Sequence, residues 1–393
     1  MDSEKKWVAL QIVLFFVTLA TTTLAGAEWR YGYSIFAPDY SWDKFFTGLP
    51  YSLSFLFILS VHEFGHYFTA RYHQIKTSLP YYLPLPPLPL FIGTLGALIR
   101  IRQIIPTTTK NFDIGIAGPL AGFIAALSIL IYGMQTLPPP EYIFSVHPEY
   151  EKFGLSFADH VYSKEYLVNR FDITIGYNLM MDILATLFAD STKMPNPHEL
   201  MHYPFLFAGY LSLVFTALNL LPIGQLDGGH VSYGLFGARG HLLIARCVFV
   251  AFVFYAGLGF IHPGMPDSEL FLQMPLYLGF LYFTLKGLKL DVKSTVIVSL
   301  SVFLIQYLIV LYFPKVQGFN GFLLFAFLLG RFVRVHHPGA EVEEPLSPMR
   351  KILGWIALAI LVLCFTPSPL NSELVVQEQQ PTGVDISVLL PSH

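Results

Sequence analysis

Long apolar stretches alternate with short polar connections along this chain. Runs of about twenty apolar residues, the length that crosses a bilayer as a helix, lie near 7–26, 47–71, 113–136, 204–234, 241–262, 271–288, 294–313, 318–333 and 351–367. The pattern predicts an all-α polytopic membrane protein with about nine transmembrane helices. The run at 318–333 is short and reads as a tilted or re-entrant piece. The first run follows Lys5 and Lys6, and "LAGA" (Leu24 to Ala27) would serve as a cleavage site, as in a secretory signal. Its length, and the spans that follow, favour a retained first helix.

The connections add detail. "LPYYLPLPPLPLFIGTLGALIRI" (Leu79 to Ile101) is Pro-rich and then roughly alternating, and Gly93 to Ile101 reads as a strand. This is a small β element after the second helix. A long acid-rich loop spans about 138–203, with an amphipathic helix expected around "YNLMMDILATLF" (Tyr177 to Phe188). The tail after Pro367 is polar and expected to be mobile. No internal repeat is evident, so an inverted-repeat transporter has no support.

Composition agrees with the pattern. The chain is 54% hydrophobic and 12% charged, against about 25% charged in soluble domains. A net charge of −3 brings no argument for nucleic acid, and none is expected as a partner. The lipid bilayer is. Cys247 and Cys364 lie far apart in apolar runs and form no disulfide framework. With the N-terminus cytoplasmic and the spans alternating, 16 of the 23 lysines and arginines fall on the cytoplasmic side and 7 on the other. That bias is the usual orientation signal.

The second run carries "FILSVHEFGHYFTARYH" (Phe57 to His73). His62 and His66 are four apart, so a helix puts both on one face, where they can share a metal ion. Glu63 is rotated off that axis and can reach a water without being a ligand. Zinc held by two histidines and a carboxylate, with one position open, lowers the pKa of its water to about 7. Ionisable groups inside a span are costly and tend to be functional. A third ligand must lie at the same depth. "NLLPIGQLDGGH" (Asn219 to His230) ends the fourth run, which is parallel to the second. Asp227 is the best carboxylate there, after a break at Pro222 and Gly224; the alternative for Asp227 is a helix N-cap. His230 is the next candidate ligand, and Asp113 and His73 are weaker ones.

"HEFGH" (His62 to His66), "GIAGPLAGF" (Gly115 to Phe123) and "NLLPIGQLDGG" (Asn219 to Gly229), in this order, resemble the site-2 protease family of intramembrane zinc metalloproteases, peptidase family M50. The likeness covers roughly residues 45–235. It implies that His62, His66 and Asp227 bind Zn2+, that Glu63 activates water, and that Asn219 holds the substrate or its oxyanion. It also implies a membrane-associated strand near the site, with Gly93 and Gly96 in substrate binding. The implied partners are membrane-protein substrates. The organisation that follows is 1–44, a first helix and external connection; 45–235, a catalytic core with the external loop 138–203; 236–368, additional helices; and 369–393, a polar tail.

The resemblance implies a multi-pass protein of the bacterial inner membrane, with its site toward the cytoplasm. The sequence departs from some members in lacking an external peptide-binding module and a C-terminal nucleotide-sensing domain. Its runs after Asp227 exceed the smallest family core. A competing function is a transporter or metal-handling protein using the same His/Asp site, in which Glu63 would have no evident task. A non-catalytic scaffold is the third reading.

Overall fold

The computed structural model describes residues 2–86, 88, 91–168 and 171–374. The principal helices are α1 (Asp2–Tyr31), α2 (Leu49–Tyr72), α3 (Thr108–Gln135), α4 (Leu179–Phe188), α5 (Pro204–Asn219), α6 (Asp227–Gly257), α7 (Asp267–Leu285), α8 (Val292–Tyr312), α9 (Phe322–Leu328) and α10 (Pro348–Cys364). The strands are β1 (Tyr81–Pro84), β2 (Thr94–Leu98), β3 (Phe171–Ile175) and β4 (Leu370–Leu374).

Among the described residues, four helices are long and apolar enough to cross a membrane: Glu4–Tyr31 within α1, then α3, α6 and α8. The expectation was nine crossings, and these four meet the criterion. The largest revision concerns the runs 204–234 and 241–262. The chain stops being helical at Asn219 and restarts at Asp227. α5 is therefore 16 residues, about 24 Å at 1.5 Å per residue, short of the roughly 30 Å hydrocarbon thickness. The boundary expected near 235–240 survives only as a kink in α6 at Gly237, whose φ is +69°. The run at 318–333 holds the seven-residue α9, which passes into a π turn over Leu329–Val333.

The break between α5 and α6 is dictated locally. Pro222 cannot donate to a helical ladder. Gly224 has φ +53°, and a Cβ there would lie 1.7 Å from the Arg334 carbonyl oxygen. Only glycine satisfies both the left-handed backbone and that approach. The break turns the chain at the depth where α6 must begin.

α2, α3 and α5 form the centre, with Tyr51, Leu130, Phe207, Tyr210 and Leu213 fully buried between them. Lipid offers no hydrophobic drive for helix association, so close contact and buried hydrogen bonds must hold the bundle. A Cβ on Gly65 would lie 2.7 Å from the Ala117 carbonyl oxygen, so α2 and α3 touch backbone to backbone. Thr22 of α1 and Ser52 of α2 share a hydrogen bond of 2.6 Å. Tyr277 donates to Gln306 at 2.9 Å, and Gln306 donates to the Phe254 carbonyl at 2.7 Å, joining α7, α8 and α6. Leu53 and Phe57 on α2, and Leu300 and Leu304 on α8, point outward as an apolar surface.

Two small two-stranded sheets form among the described residues. β1 and β2 pair antiparallel, with Tyr81 opposite Leu98 and Tyr82 opposite Ala97. The strand expected over 93–101 is thus present over Thr94–Leu98; its Pro-rich partner β1 was not foreseen. Tyr82 hydrogen-bonds Ser60 of α2 at 2.7 Å, fixing the hairpin against the helix that carries the histidines. β3 pairs antiparallel with β4, Ile175 opposite Leu370. The tail expected to be mobile therefore begins as a strand, and residues 375–393 lie outside the described residues. α4 forms within the stretch expected to be helical, capped by Asn178, which accepts from the Met181 amide at 2.9 Å.

Asp113 binds Arg350 through two bonds of 2.7 and 2.8 Å and also meets His73 at 2.9 Å. These groups tie the N-terminal turns of α3 and α10 to the end of α2. Charge-assisted bonds of this kind contribute roughly 1.5–3 kcal/mol. Arg350→Met is expected to lower the melting temperature of the purified protein while leaving its metal content unchanged.

Candidate metal centre

His62, Glu63 and His66 are all buried on α2. They sit opposite a flat face of α3 made by Gly115, Gly118 and Gly122. A Cβ on Gly118 would lie 2.1 Å from His66 Nε2, and one on Gly122 would lie 2.9 Å from His62 Cβ. One on Gly115 would lie 2.3 Å from His230 Cβ. The glycines of "GIAGPLAGF" are thus the space that the imidazole rings occupy. His66 Nδ1 donates to the Ile114 carbonyl at 2.7 Å. That bond fixes the ring and turns the lone pair of Nε2 inward, as a carbonyl behind a metal-binding histidine does.

Asp227 enters from the first turn of α6. Gly228 and Gly229 make its approach possible: Cβ atoms there would lie 1.8 Å from the Leu220 carbonyl oxygen and 2.2 Å from that of Gly224. The two histidine Nε2 atoms are 3.2 Å apart. Asp227 Oδ2 is 3.3 Å from His62 Nε2, and Oδ1 is 3.3 Å from His66 Nε2. Ligands about 2.0–2.1 Å from a tetrahedral zinc stand roughly 3.3 Å from one another. The donor set and its spacing fit a zinc ion. Asp227 is not the N-cap of α6, a position taken by Leu226.

The cluster opens into a cavity of about 820 Å³ that Glu63, Asn219, Ile99 and Arg100 also line. A smaller cavity of about 100 Å³ is shared by His62, Glu63, Gly96 and Asn219. Glu63 therefore faces the same space as the cluster without belonging to it, and Asn219, the last residue of α5, stands beside it. β2 has β1 on one side and no strand on its other edge among the described residues. Gly96 lines the smaller cavity. Gly93 lies apart, with φ +88° and a Cβ position 2.5 Å from Thr22 Cα. Its carbonyl accepts from Thr21 of α1 at 2.7 Å.

The remaining candidates have other partners. Asp113 and His73 pair with each other and with Arg350, as described. His230 lines the large cavity, but its Nδ1 meets His337 Nε2 at 2.8 Å. Asn111 donates to the same His337 nitrogen at 3.1 Å. Burial, with His230 and His241 beside it, pushes the His337 imidazole down to about 3, so it is neutral at pH 7. Neither Asn111 nor His337 stood out in the sequence. The available signal was "VHHPGA" (Val335 to Ala340), a histidine pair followed by Pro and Gly in a connection.

Residues 50–261 match Peptidase family M50. The chain belongs to this family. The match contains both histidines, Glu63, the glycine face of α3, Asn219 and Asp227. His337 is supplied from beyond it, by the connection before α10. One relative is the protein named "Probable zinc metalloprotease EGY1, chloroplastic" of Arabidopsis thaliana, 29% identical over 52% of this chain and 32% of its own length. Its namesake in Oryza sativa subsp. japonica is 32% identical over 49% of this chain and 28% of its own. "Probable zinc metalloprotease EGY3, chloroplastic" of Oryza sativa subsp. indica is 26% identical over 60% of this chain and 37% of its own. The chain thus spans about a third of the length of these curated relatives. No solved structure matches it.

Proposed function

We propose that this protein is a zinc metalloprotease that hydrolyses peptide bonds within or near the transmembrane helices of membrane-protein substrates. The observation that carries the reading is the convergence of His62, His66 and Asp227 at separations of 3.2–3.3 Å, beside Glu63. These three residues hold the metal. Zinc at this position supplies Lewis-acid activation of water at neutral pH. The chain's own residues do the rest. Glu63 takes the proton from the attacking water and returns it to the leaving amine. Asn219 donates its amide to the oxygen on which negative charge develops.

A helical substrate hides its peptide groups in its own hydrogen-bond ladder, so it must unwind before hydrolysis. The open edge of β2 offers main-chain groups to the extended form, as in strand addition. In this reading the lysine and arginine bias supports an N-terminus and site on the cytoplasmic side of a bacterial inner membrane. The further apolar helices add crossings to the four described. The relatives named above are zinc metalloproteases by name, which supports the zinc protease reading; they are chloroplastic, so the bacterial membrane rests on the sequence resemblance alone.

Asp227→Ala is expected to weaken zinc binding at this site at least tenfold, in line with loss of a metal ligand; unchanged affinity there would move the third ligand to His230. Cleavage of a single-span substrate in proteoliposomes tests the reading itself. Wild type should cut it, and metal flux without any cutting would replace the protease with a transporter.

A further inference from the structure

A second group of metal-binding side chains lies at the opposite end of the molecule from the first. His147, Glu199 and His202 come from two segments of the loop 138–203, and their ligand atoms all lie within 4.8 Å of one another. The two Nε2 atoms are 3.3 Å apart. Glu199 Oε2 is 3.2 Å from His202 Nε2 and 3.5 Å from His147 Nε2. These are again the edges of a tetrahedron about 2.0–2.1 Å in radius.

Hydrogen bonding alone leaves this arrangement unsatisfied. His202 Nδ1 donates to the Arg30 carbonyl at 2.8 Å. In the neutral ring, Nε2 is then a lone pair with no proton to give the carboxylate. Glu199 is only 3% exposed, yet its Oε2 has no hydrogen-bond partner. Its other oxygen accepts from the Tyr162 hydroxyl. His147 Nδ1 faces the Glu149 carboxylate at 3.4 Å. Each ligand is therefore oriented from behind, by a carbonyl, a carboxylate or a phenol, with its free lone pair turned toward a common point. That is the arrangement of a metal site with its outer partners in place. A buried carboxylate oxygen without a partner is costly, and a divalent cation removes that cost.

We propose that His147, Glu199 and His202 bind a second divalent transition-metal ion of the zinc class. Two imidazoles and one carboxylate suit zinc and its neighbours over calcium or magnesium, which take oxygen ligands. A cavity of about 230 Å³ beside His147 and His202, lined also by Glu28, leaves room for water as a fourth donor. The ion clamps the two loop segments together and, through His202 and Arg30, to the C-terminal end of α1. The site does not depend on the protease reading.

The test is zinc counting on the full chain in detergent, stripped with chelator and reloaded with Zn2+. Wild type is expected to hold two ions per chain, His147→Ala one, and the double variant with His66→Ala none. His147 is the most exposed of the three ligands, so its removal disturbs packing least. Should that variant fail to fold, His66→Ala alone decides. One retained ion, giving the absorption of four-coordinate cobalt after exchange to Co2+, supports the second site. A wild type holding one ion, a His147→Ala chain still holding two, or a His66→Ala chain holding none overturns it.

Discussion

Glu63→Gln is expected to leave the zinc in place and abolish cleavage. The amide is nearly isosteric with the carboxylate, and Glu63 is not among the three converging ligands. The metal-binding atoms of His62, His66 and Asp227 are untouched by the change. What disappears is a base that can take a proton beside the metal. General acid–base groups contribute about 10²–10⁴-fold, and in the proposed mechanism one residue serves both proton transfers, so the loss should reach the upper end. Zinc content by mass spectrometry and cleavage of a labelled single-span substrate measure the two effects separately. A variant that loses its zinc would make Glu63 a ligand or a support for one. A variant that keeps full cleavage would assign the proton transfers elsewhere.

Gly118→Ala is expected to be nearly as damaging, although it adds a single methyl group. On helix propensity alone the change would stabilise α3 by about 0.8–1 kcal/mol. The packing argues the other way and dominates. The new Cβ would fall 2.1 Å from His66 Nε2, 2.4 Å from its Cδ2 and 2.5 Å from its Cε1. The ring cannot retreat without breaking its 2.7 Å bond to the Ile114 carbonyl. The helices cannot separate without losing the contact of Gly65 on Ala117. Overpacking in such a place typically costs about 1–3 kcal/mol, and the atom displaced is the one that must bind metal. Zinc affinity at the site of His62, His66 and Asp227 should fall at least tenfold, and cleavage with it, in a protein that remains folded by circular dichroism. Unchanged affinity would mean that the α2–α3 contact is softer than this packing implies.

These two residues show how unevenly the site was legible in the sequence. The i, i+4 histidine pair is local: a helix is enough to bring its members together, so their spacing announced them. Asp227 needed a topological step, the parallel direction of two runs, and its depth followed. The α5–α6 break at Pro222 and Gly224 was visible. Its consequence was not, because apolar residues continue through "HVSYGLF" (His230 to Phe236) and suggested that one span ran on to 234. β1 was hidden by the prolines around it, which argue against a strand until a partner supplies the pairing.

Contacts between distant segments left less trace. His337 meets His230 across 107 residues and Asn111 across 226, and no periodicity links such positions. The loop cluster joins His147 to His202 across 55 residues that include β3 and α4. Acid-rich composition described that loop without revealing which of its carboxylates turned inward. Gly93 and Gly96 looked alike in a strand. Their surroundings divided them, one against α1 and the other beside Glu63.

In the proposed function the metal centre cuts substrate helices in the bilayer. Mass spectrometry of the products from a single-span substrate, reconstituted with wild-type protein in liposomes with and without a zinc chelator, tests it most directly. Chelator-sensitive cleavage at a bond inside or at the edge of the apolar segment is the expected result. Cleavage confined to soluble regions of the substrate, or cleavage that survives complete removal of zinc, would contradict it.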